Sequence, residues 1–428
     1  MSDIDTETAD ETAAGAAAVQ AIATGHEGSV SEQFQNYFRR VRSGEMGMLP
    51  ALAGVLVLGV LFSFLSEFFL TNKNIANLLT QTASLMILAI ALTFLLIMAE
   101  IDLSAGITGG VGMAIFIRLL NDQHWNWIVA LVVALLAGVV IGSSIGFFVA
   151  RIGVPSFVVT LALFLAFQGL MLVLLGDAGS YRIEEPAVLA IMNKSMPLWA
   201  GWLMFAVVCA VSLATSFYDR ARRQKYKMPV RPLSMLWLQF GAVVVGVGFL
   251  VFFLNQNRST GVFVIEGVPI VVPLALAILW IGQLVLDRTR FGLHIYAVGG
   301  NPEGARRAGI NVTRVRISAF VICSVLAVVA GLFTISQVGV VQSSTGRDVV
   351  LSGVGAAVIG GVSLFGGRGR LMQATVGAFL ISMITNGLGL LGYSAGITFM
   401  VTGGVLMLAA TIDALTRKRS GSTSLART

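Results

Sequence analysis

The strongest constraint on this chain is a recurring length. Apolar runs of about 18 residues or more, nearly free of charge, follow one another from residue 48 to residue 413. Each is long enough to cross a hydrocarbon core of about 30 Å as a helix. The runs are continuously apolar rather than alternating, which disfavours a transmembrane barrel. Of the whole chain, 56% is hydrophobic and only 11% charged, against about a quarter charged in a soluble protein. The expectation is an all-α polytopic membrane protein with about 10–12 transmembrane helices.

Candidate spans lie at 48–70, 83–100, 104–120, 126–150, 155–176, 196–216, 235–254, 267–286, 318–337, 349–365, 371–392 and 394–413. The chain holds 48 glycines, and small residues let helices approach closely in a bilayer. Glycine is dense enough in 104–120 and 349–365 that these two are expected to be broken or re-entrant. Ahead of the spans, residues 1–30 are an acidic, low-complexity tail expected to be disordered. Residues 31–47 read as an amphipathic, basic surface segment. The membrane domain is placed at 48–416, and a basic tail at 417–428.

Charge placement tests that count. Arg39, Arg40 and Arg42 precede the first span, Arg151 follows the fourth, and a basic loop at 217–234 separates the sixth and seventh. Arg288, Arg290, Arg306, Arg307, Arg314 and Arg316 lie in or beside a loop at 287–317, and Arg417, Lys418 and Arg419 lie near the end of the chain. With even numbers of crossings between them, every cluster falls on one side, the cytoplasmic one, with both termini. A net charge of +7 distributed this way points to a membrane surface rather than to nucleic acid. The segments 71–82, 121–125, 177–195, 255–266 and 338–348 are then the opposite-side loops. Cys209 and Cys323 sit inside apolar runs, and the three histidines are isolated, so neither a disulfide framework nor a metal site is expected.

Such a chain could be a channel, an ion-coupled carrier, a lipid-modifying enzyme or the membrane half of an ATP-driven pump. Carriers driven by ions usually hold ionisable groups within their spans. Here Glu67, Glu100 and Asp102 all lie near span ends. The chain also lacks any Gly-Lys dipeptide, so it contains no GxxxxGK[ST] phosphate loop. Active transport by ATP would need a separate ATPase and a surface on which to dock it.

The stretch AVGGNPEGARRAGI (297–310) offers that surface. Asn301 suits an N-cap, Pro302 the first helical position, and Glu303, Arg306 and Arg307 complement the helix dipole. Ala305 lies within this helix, and Gly309 suits a left-handed C-terminal position. Helices below about 12 residues are marginal alone, so this one needs something to pack against.

Four blocks resemble one family. HIYAVGGNPEGARRAGIN (294–311), EIDLSAG (100–106), VPSFVVTLALFLAFQG (154–169) and VIGGVSLFGGRG (358–369) are similar to segments of the ribose/xylose/galactose-type sugar ABC importer permeases. They occur in the family's order, and the resemblance covers about residues 48–419. The basic loop with a pair of spans around it looks most like the xylose-type subgroup. The resemblance implies a permease subunit in a bacterial inner membrane, paired with a second copy. Two cytoplasmic ATPase subunits would carry ATP and Mg, with no cofactor in this chain, and an extracytoplasmic binding protein would deliver a monosaccharide. Residues 301–309 would be the coupling helix. Glu100 departs from the family's usual Gly, and Val350 and Ser352 stand where xylose-type relatives often have acids. The rival reading is a stand-alone ion-coupled carrier or facilitator.

Several single residues carry expectations. Asp102 reads as a helix cap and as a carboxylate on the substrate path. Phe164, Phe167 and Gln168 on one span, and Asn386 on another, are candidates for the path, since a buried unpaired amide is costly in lipid. Gly106, Gly360, Gly361, Gly366 and Gly367 read as sites of close packing or helix breaks. MAEIDLSAG (98–106) and IGGVSLFGG (359–367) also align as a faint internal repeat, with Leu103 over Leu364 and Gly106 over Gly367.

Overall fold

Apolar sequence with little helical amphipathicity folds in a bilayer by choosing which helices lie at the centre, and glycine decides most of that choice here. The computed structural model describes residues 47–176, 179–230, 232–259 and 264–425, with side chains described as far as residue 411. The expected segments 1–30 and 31–47 lie outside the described residues, apart from Gly47. So do the side chains of the expected tail at 417–428, whose backbone is helical as far as Leu425.

The chain divides into two compact units, one holding 46–195 and 269–428, the other 196–268. In the larger unit the helices are α1 (Leu49–Leu65), α2 (Asn72–Leu96), α3 (Ala105–Asn121), α4 (Trp127–Phe147), α5 (Ser156–Leu175) and α6 (Pro186–Asn193). After the smaller unit follow α9 (Val271–Arg288), α10 (Arg290–Gly300), α11 (Pro302–Arg307), α12 (Val312–Val338), α13 (Val349–Ile359), α14 (Leu371–Leu390) and α15 (Ala395–Leu425). A two-stranded antiparallel ribbon joins β1 (Ser180–Arg182) to β2 (Val340–Gln342). The smaller unit is a hairpin of α7 (Leu198–Lys225) and α8 (Leu233–Leu254), where Gly248 lets the two helices close on Phe205. Among the described residues, eight helices are long and apolar enough to cross a membrane; Leu49–Leu65, Ala105–Asn121, Val349–Ile359 and Ala395–Thr411 are shorter apolar stretches.

Two helices form the centre of the larger unit. The middle of α2 is apolar all round and buried from Leu85 to Leu96, as expected of a core helix. Helix α12 packs against α2, α3 and α4. Gly138, Gly142 and Gly146, one turn apart on α4, face Val328, Phe320 and Ile317 of α12. This small-xxx-small stripe brings the backbones together in the way that replaces a hydrophobic driving force in lipid. Gly377 of α14 likewise lies on Ala356 of α13.

Two expectations are corrected, and a third gains detail. The stretch 71–82 is not a loop, because α2 begins at Asn72; its polar first turns find partners inside the protein. Most of the expected basic loop at 217–234 is helix, since α7 runs to Lys225 with Arg222, Arg223 and Lys225 in its last turn, where cations favour the dipole. The expected loop at 287–317 contains α10 and α11 and the first turns of α12. The prediction of interruption in 104–120 and 349–365 takes a specific form. In the first, no break falls inside the stretch: α3 runs unbroken from Ala105 to Asn121 and the non-helical residues 97–104 precede it; in the second, helix stops at Ile359 and a glycine-rich loop runs to Arg370.

Gly142→Val should destabilise the fold by about 1–3 kcal/mol, because its Cβ would sit 2.6 Å from the Phe320 carbonyl oxygen. Gly59→Val, with nothing within 4 Å of the added Cβ, should leave the unfolding midpoint in detergent unchanged. Equal midpoints for the two variants would refute the α4–α12 contact.

Candidate functional site

The segment singled out at 297–310 folds as its residues dictate. The side chain of Asn301 accepts from the Gly304 amide at 2.8 Å, capping α11, with Pro302 at its first position. Gly309 takes φ +82 and its amide donates to the Arg306 carbonyl, while the Ile310 amide reaches back to Ala305. Asn311 then caps α12 by accepting from the Arg314 amide at 3.0 Å. Glu303 pairs with Arg306 at 3.0 Å and with Arg307 at 3.4 Å. All three side chains are more than half exposed, so these pairs contribute little to stability. Ala305 is buried against the protein. The result is a helix fixed by its caps, presenting a charged outer face.

What α11 stands on is the more informative observation. It follows directly on α10, whose C-terminal Gly299 packs so closely on the Ile97 carbonyl and on Gly367 that a Cβ there would collide with both. The Gly367 amide donates to the Ile97 carbonyl at 2.7 Å. Gly366 takes φ +80, and a Cβ on it would lie within 3.0 Å of the Gly299 carbonyl, the Ala99 amide and the Ile97 carbonyl. Tyr296 of α10 donates its hydroxyl to the Gly369 carbonyl at 2.6 Å; burial, reinforced by Asp287, pushes its phenol up and keeps it a donor. The two motifs that align as a faint repeat therefore meet, and the end of α10 is wedged between them.

From that junction the chain re-enters the protein. Residues 97–104 climb along α12, bringing Asp102 to 4.0 Å from Cys323. Cys323 lies eleven residues into α12, about 16 Å along its axis. The exposed amides of this stretch are taken by α5: Ile101 donates to Ser156 Oγ and Leu103 to Thr160 Oγ1. Asp102 is fully buried. Its Oδ1 accepts from the Ser104 amide at 2.8 Å and the Ser104 hydroxyl at 2.6 Å. It thus shapes the turn before α3, although the helix starts at Ala105 rather than at Leu103.

The chain leading into α13 crosses the start of α3, just beyond the first interruption. Residues 343–348 are non-helical, and α13 starts at Val349. Here Gly106 abuts Gly346 and Val350, and Gly110 abuts Thr345, with no room for a Cβ at either glycine. A small cavity of about 20 Å³, lined by Ser84, Thr334, Thr345, Gly106, Gly110 and Gly346 among others, sits at this crossing. It has room for one water. Ser84 and Thr334 hydroxyls lie 2.6 Å apart, each within reach of the Ala330 carbonyl. Sequence reading missed Ser84 and Thr334, because hydroxyls in apolar helices are common, and Thr345, which lies in a turn; only the crossing gathers these three.

The other path candidates separate. Asn386 exchanges amide bonds with Asn74, both at 2.9 Å, and also donates to Gln81 at 3.3 Å. This is a clasp between α14 and the start of α2. Asp102 follows the end of α2, a 25-residue helix about 37 Å long. Asp102 and Asn386 therefore lie near opposite ends of α2, and Asn386 is engaged in the clasp. Phe164 and Phe167 pack against the apolar cluster around Met113, Phe116 and Met171, and Gln168 is half-buried beside them on α5. Gly360 lies on Gln373 and Gly361 at φ +100 on Gly47, as close packing requires. Among the described residues, no group of three or more His, Cys, Asp or Glu gathers to hold a metal.

The described residues thus form a polytopic helical membrane protein with interrupted apolar segments sealed by glycine contacts, and a capped, exposed helix next to the arm that joins them. The chain belongs to the family whose model is described as branched-chain amino acid transport system / permease component, which matches residues 74–410. It is 32% identical to the xylose transport system permease protein XylH of Escherichia coli K12 over 390 residues, 90% of this chain and 95% of that one. XylH of Haemophilus influenzae is also 32% identical, over 89% of this chain and 99% of its own. The ribose import permease protein RbsC of Escherichia coli K12 is 28% identical over 89% of this chain and 96% of its own. No solved structure matches the chain. As a permease with membrane-spanning helices, it is a multi-pass protein of the inner membrane.

Asn386→Ala and Asn74→Ala should each cost about 1–3 kcal/mol, since each orphans a buried amide. The double variant should cost less than the two together, because the second substitution removes a group already orphaned. Unfolding in detergent measures the cycle; strict additivity would mean the clasp does not exist.

Proposed function

We propose that this chain is the membrane-spanning subunit of an ATP-driven importer that moves a monosaccharide, with xylose the first sugar to test. The near full-length similarity to XylH and RbsC supports a sugar substrate. The observation that carries the mechanism is the seating of α10–α11 on both interrupted spans, through Gly299, Ile97 and Gly367.

In this reading α11 is a coupling helix. Glu303, Arg306 and Arg307 face a groove of a cytoplasmic ATPase subunit, and their internal pairing is exchanged for contacts across that interface. ATP and Mg belong to the ATPase. Closure of the ATPases displaces α11, and the wedge at Gly299 delivers the displacement to residues 97–104 and 361–369 together. The crossing of residues 343–348 with α3 then opens and closes. An extracytoplasmic binding protein delivers the sugar at the opposite end, where β1, β2 and α6 lie. A second copy of this chain completes the complex. Asp102 and the Ser84–Thr334–Thr345 hydroxyls are the proposed path residues, with Gln168 above them; Asn386, Phe164 and Phe167 serve packing.

The double variant Glu303→Ala/Arg306→Ala should remain folded in the membrane yet lose about 1–2 kcal/mol of ATPase docking, a drop of roughly five- to thirtyfold in affinity. Co-purification and sugar uptake per ATP hydrolysed in proteoliposomes read this out. Wild-type coupling in that variant would overturn the assignment of α11. Uptake by the chain alone, without any ATPase, would favour the facilitator instead.

A further inference from the structure

One buried ion pair ties the first interruption to the helix that follows α11. Glu100 Oε1 lies 3.1 Å from Arg316 Nε, with side chains only 10% and 26% exposed. It is an ion pair by distance, the Nε–H not being aligned for a hydrogen bond to the carboxylate. The backbone turns through the left-handed region at Ala99, at φ 58, a conformation that a residue with a Cβ adopts only when its surroundings hold it there. That turn directs the chain away from the Ile97 junction and onto α12. Glu100 is held on both sides, by the Ile97–Gly367 bond before it and by the Ile101–Ser156 bond after it. Arg316 stands in the second turn of α12, nine residues beyond the end of α11.

We infer that Glu100 and Arg316 are positioning residues, forming a latch that makes residues 97–104 move with α12 when α11 moves. This inference rests on the importer reading above. The glycine wedge at Gly299 can only push, because it is a steric contact. The ion pair resists separation as well, since pulling it apart would leave two poorly solvated charges unpaired. Together the two contacts hold residues 97–104 to the α10–α12 arm in both directions. The stretch that carries Asp102 and begins α3 is then repositioned on each half of the cycle, not on one alone.

The test uses the whole complex, permease with its ATPase and binding protein, in proteoliposomes with xylose as the probe. Glu100→Gln leaves a buried arginine unpaired and risks misfolding, so the decisive variant is Glu100→Gln/Arg316→Gln, which removes both charges. Replacing both members of a buried pair is tolerated far better than removing one. The expected result is a double-neutral variant with the wild-type unfolding midpoint but xylose moved per ATP reduced about fivefold or more. The charge-exchanged variant Glu100→Arg/Arg316→Glu should recover most of that ratio. A double-neutral variant that couples as well as wild type would overturn the latch, as would one whose only change is a lower unfolding midpoint. A wild-type complex that shows no ATP-driven uptake of xylose or any other monosaccharide would sink the importer reading, and the latch with it.

Discussion

In hydrocarbon no water is available to take an unpaired amide or carbonyl, so a span can be interrupted only where protein covers the break. Everything distinctive in this permease follows from meeting that demand twice. Residues 97–104 are covered by α12 on one side and by Ser156 and Thr160 of α5 on another. Residues 343–348, which lead into α13, are covered by α3, where Gly106 and Gly110 let the backbone of 345–346 lie directly against the helix. The fully buried α2 and the glycine stripe of α4 serve the same end, holding α12 in place as the wall for both.

The two interruptions are also where the basic-loop end of the molecule reaches inward. Contacts that seal them continue without a gap into α10 and α11, through Gly299, Gly367 and Tyr296. Packed elements of this kind shift between discrete arrangements more readily than they deform, which suits alternating access around a crossing.

Much of this was legible in the residues. The helix at 302–307 was readable because each of its devices is local: a capping Asn301, a first-turn Pro302, paired charges and a terminal Gly309. The twelve apolar stretches were readable because length and hydropathy are set by the bilayer. The polar start of α2 was not, since Asn74 and Gln81 look like loop residues until Asn386, 312 positions away from Asn74, is seen to satisfy them. The GxxxGxxxG stripe at 138–146 could have been found by its spacing, though not the helix it faces.

Sequence alone determined a polytopic helical chain, its basic and non-basic ends, and a short capped helix too small to stand unaided, because these depend on local spacing and on transfer from water. Only the tertiary structure decided that Asp102 and Asn386 lie at opposite ends of α2, that the two glycine motifs meet around Gly299, and that Glu100 faces Arg316. Those are pairings between distant segments, and a bilayer gives apolar helices no hydrophobic gradient by which to choose among neighbours. The choice falls to close backbone approach and to polar groups that must find each other, and both become visible only once the helices are packed.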